Sequence, residues 1–503
     1  MTAPTEVALV RRTPHVLRPD PSRVVTLLSL PGQELVASGQ SRSDAVIQRV
    51  LALTDAEVET SLAATMLAFG QRHHDLPAVL DARFGLVAHR LADPNALARP
   101  RRLLIGAYFS KEYAVEAAAL FNPSMVPHPD QTGLPPGSTR FVMTVRAVGE
   151  GHISSVEFRT GTIGAEDVVA FDELGPVTAS PEQTPTTYRR GVFERQHAEL
   201  GGDESSARFV LAGLPPTFAR ADLELALRRL RSQRLTRGSG ARTPERLDRI
   251  AACNYSVTFP ADSAIHDRVL LPVSPAESNG LEDVRFVRFT EDDGRVDYRG
   301  IYTAFDGVHV VPQLMRTDDF RTFHVSQLSG PAAKNKGMAL FPRPIGGEYV
   351  ALSRWDRESN SVARSRDLAH WDRASTLQVP RRPWEIVQVG NCGPPIETSA
   401  GWLVLTHGVG PMREYSIGAV LLDLEDPTTV LGQLPNPLLV PAADEREGYV
   451  PNVVYSCGAL VHGGTLVLPY GCSDSSIRVA LVEVAALLRL LERTPDDGSA
   501  ALG

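Results

Sequence analysis

The sequence predicts a mainly β protein, a five-bladed β-propeller with an N-terminal helical extension and a helical insertion. Three observations predict it. After Asn254 the chain runs as short segments rich in Val, Ile, Leu and Tyr, each bounded by Gly, Pro, Asp or Asn. That is the pattern of strands in a sandwich, barrel or propeller. Two segments end in a polar turn that leads to an aromatic, Thr317–Phe323 and Ser365–Trp371, and a repeat of roughly 50–60 residues gives about five blades. Finally, 40 glycines and 38 prolines are a heavy load for an ordered chain, yet they thin out in two stretches. Those stretches read as helix.

Taken in order, residues 1–100 read as an extended arm followed by about three helices. Between Ser41 and Leu91 apolar residues recur at three and four: Val46, Val50, Leu51 and Leu53, then Val58, Leu62, Met66 and Leu67. Ser43 and Thr54 are the expected N-caps, with Asp44 and Asp55 in the first turns. From Arg102 the period changes to two, so RLLIGAYF, TRFVMTVRAVG and HISSVEFRTG are expected strands, and residues 101–165 a first blade. Residues 166–250 read as the helical insertion. Its stretch RADLELALRRLRSQRL sets Leu223, Leu225, Leu227, Leu230 and Leu235 around a basic amphipathic helix, whose charged face reads as solvated. Residues 251–480 supply the remaining blades, and VEVAALLRLLER, within 481–503, a closing helix. No βαβ alternation or Gly-rich phosphate loop is present, which argues against Rossmann and P-loop folds.

Composition narrows the function. The 503 residues allow two to four domains or one large one with additions, and 43% apolar with 22% charged residues is ordinary globular composition. A net charge of −8 argues against a nucleic-acid partner. No apolar run approaches the roughly 18–20 residues of a membrane span. The start, MTAPTEVALVRRTPHVLRPD, has no apolar stretch behind basic residues, so a cytoplasmic location is expected. Cys253, Cys392, Cys457 and Cys472 form no CxxC pair, so neither a zinc site nor a disulfide framework is expected. Cys392 reads as a small buried hydrophobe. The pair His73-His74 has no metal-type spacing and reads as a surface feature.

Propeller loops converge at one end of a channel, so distant positions can build one site. Four polar clusters lie at strand ends. Glu282 and Asp283 precede the strand VRFVRF; adjacent strand residues point to opposite faces, so at most one should face the channel. A carboxyl buried there with a raised pKa could act as a general acid, or Asp283 could form an exposed pair with Arg285. Lys334, Lys336, Arg343 and Arg354 form a cationic group that could hold an anion or be solvated. His407 sits before Gly408, with Arg413 and Tyr415 behind it. Glu445, Glu447, Asn452 and Asp474 make the fourth cluster.

In order, these clusters resemble glycoside hydrolase family 130, the inverting β-mannoside phosphorylases and β-mannosidases. The matching stretches are FNPS, GLEDVRF, YTAFDG, NKGMALFPRPIGGEYVALSR, VGNCGPPIET with GWLVLTHGV, YSIGAVLLDLEDP, GYVPNVVYSCG and PYGCSDSSIRVA. They span about residues 101–165 and 251–480. The resemblance implies a five-bladed propeller with Asp283 as general acid, in a Glu-Asp-Pro-Arg motif where Val284 replaces Pro. It implies Asn122, Arg146 and Asp474 as mannosyl-binding residues, with Glu282, Tyr302, Asp306 and Tyr415 as further substrate contacts. Lys336, Arg354 and His407 match three cationic phosphate positions, and Gln388 stands where many phosphorylases have Lys. Inorganic phosphate is then the co-substrate, with no other cofactor and no metal. An inverting hydrolase would instead need a second carboxylate roughly 6.5–9.5 Å from the acid, for which Glu397, Glu445 and Glu447 are candidates. Two alternatives therefore stay open: a β-mannosidase, and a non-catalytic propeller binding sugar or protein. The helical segments are the expected dimer surfaces or site lids.

Overall fold

The computed structural model describes residues 9–32, 35, 39–232 and 241–492. The structure is mainly β. Its largest sheet has eleven strands. It runs from Ala119–Pro127 through Thr139–Val148 and Ser154–Ile163, then through Gly280–Thr290, Val296–Phe305, Val310–Thr317 and Thr322–Gln327 to its far edge. The two halves join weakly, by a single parallel pair between Gly280 and Ser154. Ala339–Leu340, Tyr349–Ser353, Asn360–Ser365 and Arg373–Gln378 form a four-stranded sheet. A five-stranded sheet is centred on Gly401–Val409 and Tyr415–Leu422. In the last sheet, Thr465–Cys472 and Ser476–Glu483 are completed by Val10–Leu17, which runs antiparallel to Ser476–Glu483.

Apolar side chains between neighbouring sheets form the core, and burying their faces is the main stabilising term. Val142 and Phe158 pack with Phe286 and Phe323 across the two halves of the large sheet. Phe289 and Leu314 pack with Ala351 and Trp371 of the next sheet. Phe341 and Leu352 meet Trp402 and Val420, and Leu405 and Leu421 meet Leu468 and Val482. Finally, Val467 and Val479 pack against Phe141 and Met143, so the last sheet meets the first.

The two polar turns are built alike. Asp319 Oδ1 accepts from the backbone amides of Arg321 and Thr322, and Asp367 Oδ1 from those of Ala369 and His370. The following residue, Phe320 or Leu368, is left-handed in both (φ 56° and 63°). Phe323 and Trp371 are then fully buried.

Helices lie at Arg42–Leu51, Asp55–Phe69, Leu76–Val87 and Arg99–Tyr108, and again at Arg190–Glu199, Glu204–Leu211, Arg220–Ser232 and Thr243–Ala252. Val484–Glu492 is helical and buries Leu487 and Leu491 against the two five-stranded sheets. No helix among the described residues is long and apolar enough to cross a membrane.

Several sequence expectations are corrected. RLLIGAYF is helix, not strand: Pro100 sits in its first turn, and a short apolar run buried on one side does not distinguish the two periods. The extended arm pairs as a sheet strand over residues 10–17, whereas the chain between 166 and 189, expected within the helical insertion, contributes short strands before the helices begin. Ser41, not Ser43, caps the first helix by accepting from the Asp44 amide, while Ser43 is buried within it. Thr54 caps the second with Glu57 in a reciprocal box. Leu67 points to solvent at 87% exposure, although Val50 and Val58 are buried. His73 is buried rather than on the surface and bonds Glu112 at 2.9 Å. In the insertion Leu223, Leu227 and Leu230 are core residues, Leu225 is exposed and Leu235 lies outside the described residues. The cysteines are all free and buried.

Candidate active site

The strands Ala119–Pro127 and Gly280–Thr290 each carry an irregularity where the site forms. Pairing slips between Phe121 and Ser124 in the first, and between Glu282 and Arg285 in the second. The residues in these bulges, Asn122 and Asp283, are left-handed (φ 49° and 58°). A bulge breaks the strict alternation of faces, so Glu282 and Asp283 line the same cavity. The expectation that only one would face it fails for this reason. Ser473 and Asp474 are also left-handed (φ 48° and 49°). Non-glycine residues held this way cost on the order of 1–3 kcal/mol each and cluster at functional sites.

The cavity has a volume of about 260 Å³. Asn122 Nδ2 donates to Asp283 Oδ1 at 2.7 Å. Arg146 spans both acids, with Nη1 3.1 Å from Asp283 Oδ1 and Nη2 2.7 Å from Glu282 Oε1. Ser154 holds its Nε at 2.9 Å, and its guanidinium lies 5.0 Å from the centre of the Phe121 ring. Lys336 closes the chain by bonding the other oxygen of Glu282. Burial alone would raise the Asp283 carboxyl. Arg146, Lys336 and the Asn122 amide outweigh it and hold the carboxyl below its usual range. The raised value foreseen for a general acid is therefore not found at Asp283. Asp474 goes the other way: burial and the nearby Asp283 charge push it up to about 6, against Arg146 and Arg413.

Arg354, Gln388, His407, Arg413, Tyr415 and Tyr455 also line the cavity. His407 Nδ1 lies 3.0 Å from the Asn391 carbonyl and donates to it. Its Nε2 is left to accept from Arg354 Nη1 and Gln388 Nε2, each at 3.2 Å. Burial, with Arg354 and Arg285 close by, drives the imidazole well below its normal pKa. His407 is thus a neutral acceptor and not a third cation. Tyr415 stacks on it at 6.0 Å, and Arg413 covers Tyr415 at 5.8 Å. Arg354 Nε is buried without a partner, as is Asn122 Oδ1, leaving each free to meet a ligand.

Other predicted residues lie elsewhere. Tyr302 is buried with its hydroxyl on Glu277. Asp306 closes its own turn through the Val308 and His309 amides and pairs with Arg249 at 3.4 Å. Neither lines the cavity. Arg285 is not an exposed partner of Asp283: it is buried, and reaches Asn391 and the Tyr455 hydroxyl. Arg343 pairs with Glu397 at 2.7 Å on exposed surface. Glu445 is buried under Arg12 and Tyr470, and Glu447 is exposed. Arg413, named in the cluster with His407, also lines the cavity, as do Phe121, Val450, Val453 and Tyr455, to which the sequence gave no individual role although they lie in the matching stretches FNPS and GYVPNVVYSCG.

Comparisons with known proteins give the family context. A glycoside hydrolase family 130 model, described as beta-1,4-mannooligosaccharide phosphorylase, matches residues 260–493. A 1,2-beta-oligomannan phosphorylase of Thermoanaerobacter sp. is 42% identical over 157 residues, 30% of this chain and 51% of that protein. A beta-1,2-mannobiose phosphorylase of Listeria innocua is 34% identical over 230 residues, 44% of this chain and 63% of the other. A second beta-1,2-mannobiose phosphorylase, from Thermoanaerobacter sp., is 35% identical and covered over 70% of its length, by 43% of this chain. The chain thus spans half to two thirds of the first two relatives. Among solved structures, the Listeria innocua beta-1,2-mannobiose phosphorylase with beta-1,2-mannobiose aligns at 22% identity and a TM-score of 0.44. That alignment covers 76% of this chain and 93% of that one.

Proposed function

The chain belongs to glycoside hydrolase family 130, and from that premise we propose that it is an inverting phosphorylase of β-mannosides. The fold reading that goes with it is a five-bladed propeller. Five apolar layers follow one another from sheet to sheet and the fifth returns to the first, which supports splitting the eleven-stranded sheet into two blades at its single-pair junction.

In the proposed reaction Asp283 gives its proton to the glycosidic oxygen as the bond from that oxygen to the anomeric carbon breaks. A phosphate oxygen forms the new bond from the opposite face, giving α-mannose 1-phosphate and a shortened acceptor. Asn122, Arg146 and Asp474 hold the mannosyl ring. Lys336 and Arg354 bind phosphate, and Gln388 and His407 keep Arg354 in place. Arg146, Lys336 and Asn122 hold the Asp283 carboxyl below its usual range, so it must gain a proton before it can act. A phosphate anion beside Lys336 and Arg354 favours that gain, because it offsets the positive charge that keeps the carboxyl ionised. Binding phosphate would in this way arm the acid.

The observation that carries this reading is the company Asp283 keeps. Its cavity holds Lys336 and Arg354; of its other carboxylates Glu282 is tied to Arg146 and Lys336 and Asp474 is assigned to the mannosyl ring, while Glu397, Glu445 and Glu447 lie outside it. Phosphate needs no base once its charge is held; water does. The test is incubation with β-1,2-, β-1,3- and β-1,4-mannobiose, with and without phosphate. Sugar 1-phosphate formed only when phosphate is present supports phosphorolysis. Mannose released without phosphate would replace it by hydrolysis.

A further inference from the structure

We propose that a second cavity, between the helical insertion and the outer strands of the sheet, binds a small phosphorylated sugar. Its volume is about 590 Å³, against about 260 Å³ for the catalytic cavity, and the two share no lining residue. One wall is the segment 185–193, which lies outside the stretch matched by the family model. The other comes from the strands Val310–Thr317 and Thr322–Gln327 and from Tyr349.

The charge of this cavity is opposite to that of the chain. Three arginines line it, Arg189, Arg295 and Arg316, with two carboxylates, Glu291 and Asp367. Both carboxylates are already engaged. Glu291 is held by the buried Arg299, accepts from the Tyr349 hydroxyl and lies 3.6 Å from the exposed Arg295. Asp367 is held by Arg195 at 2.6 Å and by two backbone amides. Arg316 also faces Asp297 at 3.0 Å, an acid shared with Arg299. Lining groups and their direct partners, counting Arg220 on Tyr188 and Glu277 on Tyr255, together comprise Arg189, Arg195, Arg220, Arg295, Arg299 and Arg316 against Glu277, Glu291, Asp297 and Asp367. That leaves a surplus of two positive charges in a chain whose net charge is −8.

A phosphomonoester dianion matches this surplus, and guanidinium groups bind phosphate bidentately. Arg316 Nε is buried without a partner. The remaining lining suits the hydroxyls of a sugar: Thr187, Ser326 and Gln327 offer neutral polar side chains. Pockets for small metabolites fall in roughly the 300–1,000 Å³ range, so one hexose phosphate fits.

The test is calorimetric titration with α-mannose 1-phosphate, inorganic phosphate and mannose. Five proteins are compared: the full chain, R189A/R295A, K336A/R354A, which weakens the catalytic cavity alone, and the last background carrying either R189A/R295A or Thr187→Trp. Binding of the ester by K336A/R354A is expected, as is its loss by at least about tenfold when R189A/R295A is added to that background. R189A/R295A by itself should turn over β-mannoside at the wild-type initial rate. Thr187→Trp, which narrows the cavity and leaves every arginine in place, should weaken the ester in the same background. The proposal is overturned if K336A/R354A binds no ester, or if adding R189A/R295A leaves its affinity unchanged. Mannose binding as tightly as the ester would exclude the anion, and inorganic phosphate doing so would exclude the sugar. Retained ester binding alongside absent turnover would count against the catalytic reading only.

Discussion

Asn122 donates its side-chain amide to Oδ1 of Asp283 at 2.7 Å, joining residues 161 positions apart, and both are held in the left-handed region. Each bulge aims one member of the pair, and each member helps fix the other. The acid, its amide partner and Arg146 thus act as one unit.

Asp283→Asn should lower kcat on mannobiose by about 10²–10⁴-fold, the range for loss of a general acid. An aryl β-mannoside with an acidic phenol needs less proton assistance and should lose far less. Equal losses on both substrates, measured as initial rates, would exclude Asp283 as the proton donor.

Asn122→Ala removes a hydrogen bond that favours the Asp283 carboxylate, so the carboxyl pKa should rise. In the proposed reaction Asp283 acts when protonated. The falling limb of kcat against pH should therefore move to higher pH in the variant, alongside a higher KM for the mannoside. A limb that stays in place would break the link between the two residues.

His407→Leu should raise the KM for phosphate about tenfold while leaving the mannoside KM nearly unchanged, because the imidazole orients Arg354 and does not supply charge. The wild-type profile of kcat/KM for phosphate should show no ionisation from this residue near pH 6–7, since its pKa lies well below normal. An imidazole titrating in that window by NMR would contradict the assignment.

Asp474→Asn should trade binding for stability. The folded-state pKa of Asp474, about 6, is above its ordinary value of 3.8. The native state therefore binds more protons than the unfolded chain between those values, and stability falls as pH rises through the window. The Asn variant lacks that loss, so its Tm should exceed the wild type at pH 8 and the gap should close by pH 4. Its KM for mannoside should rise. Thermal melts across pH test the first part and kinetics the second.

Removing residues 1–18 strips the strand Val10–Leu17 from Ser476–Glu483 and exposes the edge of the last sheet. The truncated chain should melt well below the full one and aggregate on heating. Unchanged melting would show that the strand is dispensable for closing the last sheet.

The sequence by itself determined the β character of the chain, its helical blocks and the family resemblance. It also singled out Asp283, Asn122, Arg146, Lys336, Arg354, Gln388 and His407, which all line one cavity. Those features are carried by local alternation, turn chemistry and short motifs, and so can be read along the chain. What only the tertiary structure decided depends on neighbours remote in sequence. Alternation places Glu282 and Asp283 on opposite faces; the bulge against Val296–Phe305 puts them on one. Residue type makes His407 a candidate cation, but burial beside Arg354 and Arg285 makes it neutral. Tyr302 and Asp306 sit in a matching motif, yet Glu277 and a local turn claim them. Pairing register, burial and the nearest charge are properties of the folded chain, and they set what each side chain can do.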